Sequence, residues 1–178
     1  MTYHRMADAA FAVNIPPGFD VAAGYYGGPA AYHVWPVVDW ERFPGPRLPI
    51  WVAGTDAAAE AVQAIRALQE LKVPLGSFTV VDMETRAGRA DVDYVYGFGG
   101  ALRAAGYRVW TYGSASTVFK LPPLNGYWVA DYTSDMSLID QLLQTGHVRA
   151  VQYQADVAPG YDVSLVKQWT EGGMWSGS

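Results

Sequence analysis

Short, nearly continuous apolar runs alternate with segments of helical periodicity along this chain, and that alternation constrains its fold more than any other feature. The runs at 21–26, 48–53, 78–83, 108–112, 127–130 and 148–153 read as buried strands, and 12–15 is a weaker seventh. Unbroken apolar runs of this length suit parallel strands covered on both faces.

The intervening segments have readable helix ends. Asp56 is placed to cap a helix reaching Leu71, in which Ala58, Ala61, Val62, Ile65 and Leu68 recur at helical spacing, with Pro74 and Gly76 beyond its end. Val95, Phe98, Leu102 and Ala105 form a second stripe, preceded by Asp91 and Asp93 and closed by Gly106. Ser137 and Asp140 resemble a capping box ahead of Leu138, Leu142 and Leu143, and Gly146 ends that helix. In 32–43, Pro36 either opens a short helix at N1 or interrupts a strand, and the short helix is favoured.

Strands alternating with helices imply right-handed βαβ units and a parallel sheet. Polar and aromatic residues recur at the strand ends, at Asp82 and Glu84, Tyr112 and Ser114, Asp131 and Tyr132, Gln152 and Gln154. Active sites of (β/α) barrels collect at that end of every strand, which favours a barrel over an open sheet. At 178 residues the chain is short for a barrel of about 250. The fold class expected is therefore α/β, a TIM-like barrel with abbreviated or missing outer helices. No linker divides it, so 1–178 is read as a single domain, with 1–20 an N-terminal extension or first strand and 168–178 a C-terminal tail.

Composition excludes several functions. A formal charge of −5 without a local Lys/Arg cluster argues against a nucleic-acid partner. Without cysteine there is no disulfide framework or thiolate metal site. His4, His33 and His147 are scattered with no HExxH spacing, so no metal or other cofactor is expected. No apolar stretch approaches the roughly 20 residues that span a bilayer, and 1–8 do not read as a secretory signal. The chain is expected to be soluble and to need another route out of a cell if it acts there. Gly97-Phe98-Gly99-Gly100 falls inside a helical stripe, which speaks for packing and not for a dinucleotide loop. The seven tryptophans and twelve tyrosines exceed what a core of this size needs and suit a wet, concave ligand surface.

The chemistry centres on Asp82-Met83-Glu84, at the end of the run Phe78-Thr79-Val80-Val81. Alternate residues of a strand share a side, so both carboxylates project together past its end. Two acids so placed cannot both ionise freely, and one is held protonated toward neutral pH, as in a glycosidase.

Several segments, in order, resemble the strand ends of family 25 glycoside hydrolases, the cell-wall muramidases. They are Val80-Val81-Asp82-Met83-Glu84, Val109-Trp110-Thr111-Tyr112-Gly113-Ser114, Tyr127-Trp128-Val129-Ala130-Asp131-Tyr132, Val151-Gln152-Tyr153 and Gly160-Tyr161-Asp162-Val163. Tyr25-Tyr26-Gly27-Gly28, Leu48-Pro49-Ile50-Trp51-Val52 and the Ala-rich 57–71 look even more like the related glycoside-hydrolase-like family 1906, of unknown function. The resemblance covers about 21–166 and implies a cell-wall glycan as partner, with Glu84 the proton donor, Asp82 its neighbour and Asp162 the second-side carboxylate. It also implies that Tyr26, Tyr112, Trp128, Asp131, Tyr132, Gln152 and Tyr153 bind substrate.

One departure stands out. The muramidases begin with a G-x-D-x-S strand, whereas here Asp20, in Gly18-Phe19-Asp20-Val21, reads as a turn residue and Asn14 is an equal stand-in. The closing Asp162-Val163-Ser164 also differs from the usual Asp-x-Asn. Two expectations follow. One is a hydrolase of wall glycan, cutting the β-1,4 link after N-acetylmuramic acid, outside a cell or from a phage particle. The other is a degenerate barrel that binds glycan or serves as a structural or assembly module.

Overall fold

Eight strands close on one another in chain order to form a barrel. They are β1 (Tyr3–Asp8), β2 (Val21–Gly27), β3 (Arg47–Val52), β4 (Phe78–Asp82), β5 (Arg108–Ser114), β6 (Gly126–Ala130), β7 (Val148–Val157) and β8 (Tyr161–Lys167). A computed structural model describes residues 3–167 apart from 85 and 87. Strands β1 to β7 run parallel, and β8 lies antiparallel between β7 and β1.

The outer layer is uneven, as the chain length requires. Between β1 and β2 stands only a 3₁₀ turn, Ala12–Asn14, and between β2 and β3 only the six-residue α1 (Val37–Arg42). Full helices begin with α2 (Ala57–Glu70) and α3 (Arg89–Ala104), followed by the short α4 (Ala115–Val118) and by α5 (Met136–Gln144). On the thin side, a hollow of about 440 Å³ opens between Ile15, Phe19, Arg42 and Phe43.

Side chains alternate along each strand between two separate cores. Inward, Met6, Val21, Leu48, Val80, Trp110, Trp128 and Val166 fill the barrel. Outward, Trp51 and Val81 pack beneath Ala61, Ala64 and Leu68 of α2 and Val95, Phe98 and Leu102 of α3, while Ile139 and Leu143 of α5 cover Val148 and Val151. The Gly97-Phe98-Gly99-Gly100 run lies within α3, and a Cβ at Gly99 would stand 2.4 Å from Leu124, so the run serves close packing. Among the described residues no helix is long and apolar enough to cross a membrane.

Local chemistry sets the helix ends. Asp56 Oδ1 accepts the Ala59 N–H at 3.0 Å, the expected cap of α2. The cap of α5 is Asp135, not Ser137: Asp135 Oδ1 accepts the Ser137 N–H, and Asp140 is taken by the Tyr3 hydroxyl and Gln144. Pro36 stands at the N-cap of α1, one residue before N1.

The first strand is Tyr3–Asp8, and 12–15 is not a strand but includes the 3₁₀ turn. Only the upper half of β1 is apolar. Its lower half is held by polar contacts instead, with the Arg5 N–H donating to Asp20 Oδ2 at 2.8 Å and the Arg5 guanidinium 4.6 Å over the Phe19 ring.

Candidate active site

The C-terminal mouth of the barrel gathers acids from β1, β4 and β8. Asp82 is the last residue of β4 and points inward, 8% exposed, while Glu84 stands two residues on, in the turn beyond the strand, and is exposed. Asp8 is the last residue of β1 and pairs directly with Asp162 of β8. Asp8 is the first-strand acid, twelve positions before Asp20.

Burial and mutual repulsion govern their protonation. Burial, then the charges of Asp162, Asp82 and Glu84, push the Asp8 carboxyl well above the usual carboxylate range. It is 6% exposed, and its Oδ1 accepts no hydrogen bond from the described residues. Burial first and the Glu84 charge second push Asp82 up to about 7, against the opposing hydrogen bond from the Glu84 N–H to Asp82 Oδ1, 3.1 Å. Asp162 is raised by burial and fixed in orientation: Oδ2 accepts from Gln152 Nε2 at 2.5 Å and Oδ1 from the Asp156 N–H at 2.7 Å. This mouth therefore retains protons that isolated aspartates would release.

Neutral hydroxyls surround the acids. The Tyr112 hydroxyl donates to Gln152 Oε1 at 2.5 Å, so the fully buried Gln152 ties β5 to Asp162 on β8. Tyr132, largely exposed, lies within hydrogen-bonding reach of Tyr112 and feels the charges of Asp162, Glu84 and Asp8. Tyr25, half-buried on the inner face of β2, is raised by burial and then by Asp8, Asp82, Asp162 and Glu84. Both Tyr25 and Tyr112 stay protonated and can donate to a ligand oxygen.

The expected binding residues divide by strand face. Tyr112, Gln152 and Tyr132 meet the acids. Trp128 sits below them in the barrel core, its ring 4.7 Å from that of Tyr112 and its Nε1 donating to Ser164 Oγ at 3.1 Å. Ser164, which departs from the usual Asp-x-Asn, thus satisfies a buried indole.

Three residues fall outside the mouth. Tyr26 is 4% exposed and points outward beneath the helices, where Thr79 Oγ1 lies 3.2 Å from its hydroxyl. Tyr153 packs against the α5 core, and Asp131 faces Leu138, Gln141 and Leu142 of α5. Each is one residue out of phase with an inward neighbour, Tyr25, Gln152 or Tyr132. Asp20 lies at the opposite, N-terminal end of β2, and Asn14 donates to the Gly160 carbonyl at 3.3 Å. Neither replaces Asp8. An acid ending an apolar pair after Met6-Ala7, as Asp82 ends Val80-Val81, was the signal available for Asp8.

Side chains outside the mouth hold its loops. Trp35 Nε1 donates to the carbonyls of Ala9 and Ala10, at 3.1 and 3.0 Å, and its N–H donates to the Tyr25 carbonyl at 2.8 Å, locking the ends of β1 and β2 together. Arg86 pairs with Asp91 at 2.9 Å and donates to the Gly54 carbonyl, tying the loop after β4 to α3 and to the loop after β3. Buried Glu60 accepts from Trp51 Nε1, the Gly54 and Asp56 N–H groups and the Tyr94 hydroxyl; these bonds outweigh burial and hold its carboxyl below the usual range. A Cβ at Gly113 would stand 3.3 Å from Glu84 N and O, so glycine there lets the acid's backbone lie against β5. Among the described residues no cluster of His, Cys, Asp and Glu is arranged to hold a metal ion.

In sequence the chain matches no protein-family model and no curated protein. Its structure is similar to that of the modular autolysin LytC from Streptococcus pneumoniae, with a TM-score of 0.70 and 18% identity over 92% of this chain and 46% of LytC. The chain thus spans about half the length of LytC, which was also solved with a synthetic peptidoglycan ligand. An uncharacterized protein from B. stearothermophilus gives 0.69 and 14% identity, over 93% of this chain and 96% of the other. A family 25 glycosyl hydrolase from Bacillus anthracis gives 0.64 and 13%, over 94% of both chains. The fold is therefore the TIM-like barrel of family 25 glycoside hydrolases.

Proposed function

We propose that this chain is a glycoside hydrolase of bacterial cell-wall peptidoglycan, muramidase-like, with Glu84 as general acid. The observation that carries this reading is the set of acids Asp8, Asp82, Glu84 and Asp162 at one barrel mouth, with Asp8 raised by burial and then by the charges of Asp162, Asp82 and Glu84, and Asp82 raised by burial and then by the charge of Glu84. Glu84 is exposed where a polysaccharide has access, and donates its proton to the leaving glycosidic oxygen. Asp82, buried behind it, holds a proton up to about pH 7 and keeps the pair from carrying two full charges. Asp162, fixed through both oxygens, orients water or the substrate's acetamido group. The hydroxyls of Tyr25 and Tyr132 donate to sugar oxygens.

The alternative of a degenerate barrel rested on an unmatched first-strand acid, and the presence of Asp8 at the end of β1, opposite Asp162, supports the hydrolase over it. The test is clearance of a cell-wall suspension. Glu84→Gln is expected to reduce cleavage by about 10² to 10⁴-fold, the usual contribution of a positioned acid, with glycan binding retained. Equal clearance by wild type and variant would overturn the assignment of Glu84. Wild-type binding without clearance, on several wall types, would favour the degenerate barrel.

A further inference from the structure

Beyond the acids, the rim above β1 and β2 carries aromatic rings that serve no core. Phe11 is 41% exposed and Tyr32 86%. The Phe11 ring lies 4.4 Å from that of His33 at an interplanar angle of 31°, and meets Tyr32 edge-on at 6.3 Å and 86°. A ring placed for folding would be covered, yet this is the side where only the 3₁₀ turn and α1 stand outside the barrel.

Both loops leave the C-terminal ends of their strands. Phe11 follows Asp8 by three residues, so its Cα lies within about 11 Å of that of Asp8, the limit of an extended chain. The loops are also rigid, because buried Trp35 donates to the carbonyls of Ala9 and Ala10 on one and belongs itself to the other. A fixed cluster of ring faces with polar tips, the His33 imidazole and the Tyr32 hydroxyl, matches the alternating C–H faces and hydroxyl edges of a sugar chain.

We propose that Phe11, Tyr32 and His33 form a second carbohydrate subsite, a rim platform holding the N-acetylated glycan strand where it runs past the acids over β1 and β2. This rests on the glycan-hydrolase reading. Its continuity with the acid mouth fits an extended polysaccharide, one ligand touching both places.

The test measures binding of the N-acetylglucosamine dimer and pentamer by titration calorimetry, in Glu84→Gln protein so that neither is cleaved. Adding Phe11→Ala or Tyr32→Ala is expected to weaken the pentamer by about 2- to 10-fold, the usual worth of an aromatic contact, and to leave the dimer unchanged. Tyr32→Phe, which keeps the ring, should bind nearly as the parent does. Pentamer binding unaltered by both alanine variants would overturn the platform, and so would the absence of any saccharide binding. The two readings separate cleanly. Pentamer binding that depends on Phe11 and Tyr32 in a protein that never clears walls would leave the platform and remove the hydrolase. Glu84-dependent clearance with unaltered pentamer binding in the alanine variants would do the reverse.

Discussion

Asp82 shows how a cluster of buried acids acts against stability. Its carboxyl is raised to about 7 by burial and by Glu84, so between the ordinary aspartate range and about pH 7 the folded chain keeps a proton that the unfolded chain has released. Stability therefore falls as pH rises through that window, because the folded state binds more protons there than the unfolded state. Asp8, raised in the same direction, adds to the slope. Asp82→Asn keeps the shape and removes the charge. The variant is expected to melt higher than wild type at about pH 8, with a gain on the order of a few kcal/mol, and to lose that advantage by about pH 4. Thermal melts at the two pH values check this, and coincident melting at the higher pH would contradict it.

At the scale of elements, β2 and the segment that follows it illustrate how a local rule is bent to place a site. Alternation from Val21 and Ala23 puts Tyr25 inward and Tyr26 outward, and the β2–β3 register then shifts between Tyr25 and Gly27, a bulge at the end of the strand. Trp35 then folds back over β2 so closely that a Cβ at Gly24 would stand 2.4 Å from its indole. Glycine at 24 answers to close approach and not to turn geometry. Gly24→Ala forces the indole away from the Ala9 and Ala10 carbonyls, and the expected loss is about 1–3 kcal/mol, the usual cost of overpacking. Urea denaturation measures it. An unchanged midpoint would show that Trp35 can retreat freely, and the rigidity argued for the rim would fail with it.

The whole barrel depends on β8, which runs antiparallel to both of its neighbours. Strand β8 pairs with β1 along its full length and with β7, and so removes both sheet edges while bringing Asp162 opposite Asp8. A chain ending at residue 160 would keep β1 to β7 but expose two unpaired edges, the usual template for aggregation. Such a chain is expected to sediment as aggregates, or to lose its cooperative melt, where the full chain stays dispersed. A dispersed truncation with the wild-type melt would mean that closure adds little.

Asp91 and Asp93, read as preceding α3, lie within it behind an N-cap at Gly88, but periodicity and local chemistry were enough to determine the parallel strands β2 to β7, the N-cap of α2, the closing Gly106 of α3, the packing stripes of both helices, the thin outer layer and the closeness of Asp82 and Glu84. Each of these is a short-range pattern that a strand or helix imposes on its own neighbours. Strand β1 escaped because half of it is polar, and β8 because its alternating pattern belongs to an antiparallel strand read among parallel ones. Only the closed barrel decided which side chains share the mouth. Where both faces of a strand are buried, adjacent residues such as Tyr25 and Tyr26 or Gln152 and Tyr153 look alike in sequence, and a shift of one residue exchanges inside for outside. The pairing of Asp8 with Asp162, 154 positions apart, likewise exists only because the first strand and the last are joined side by side.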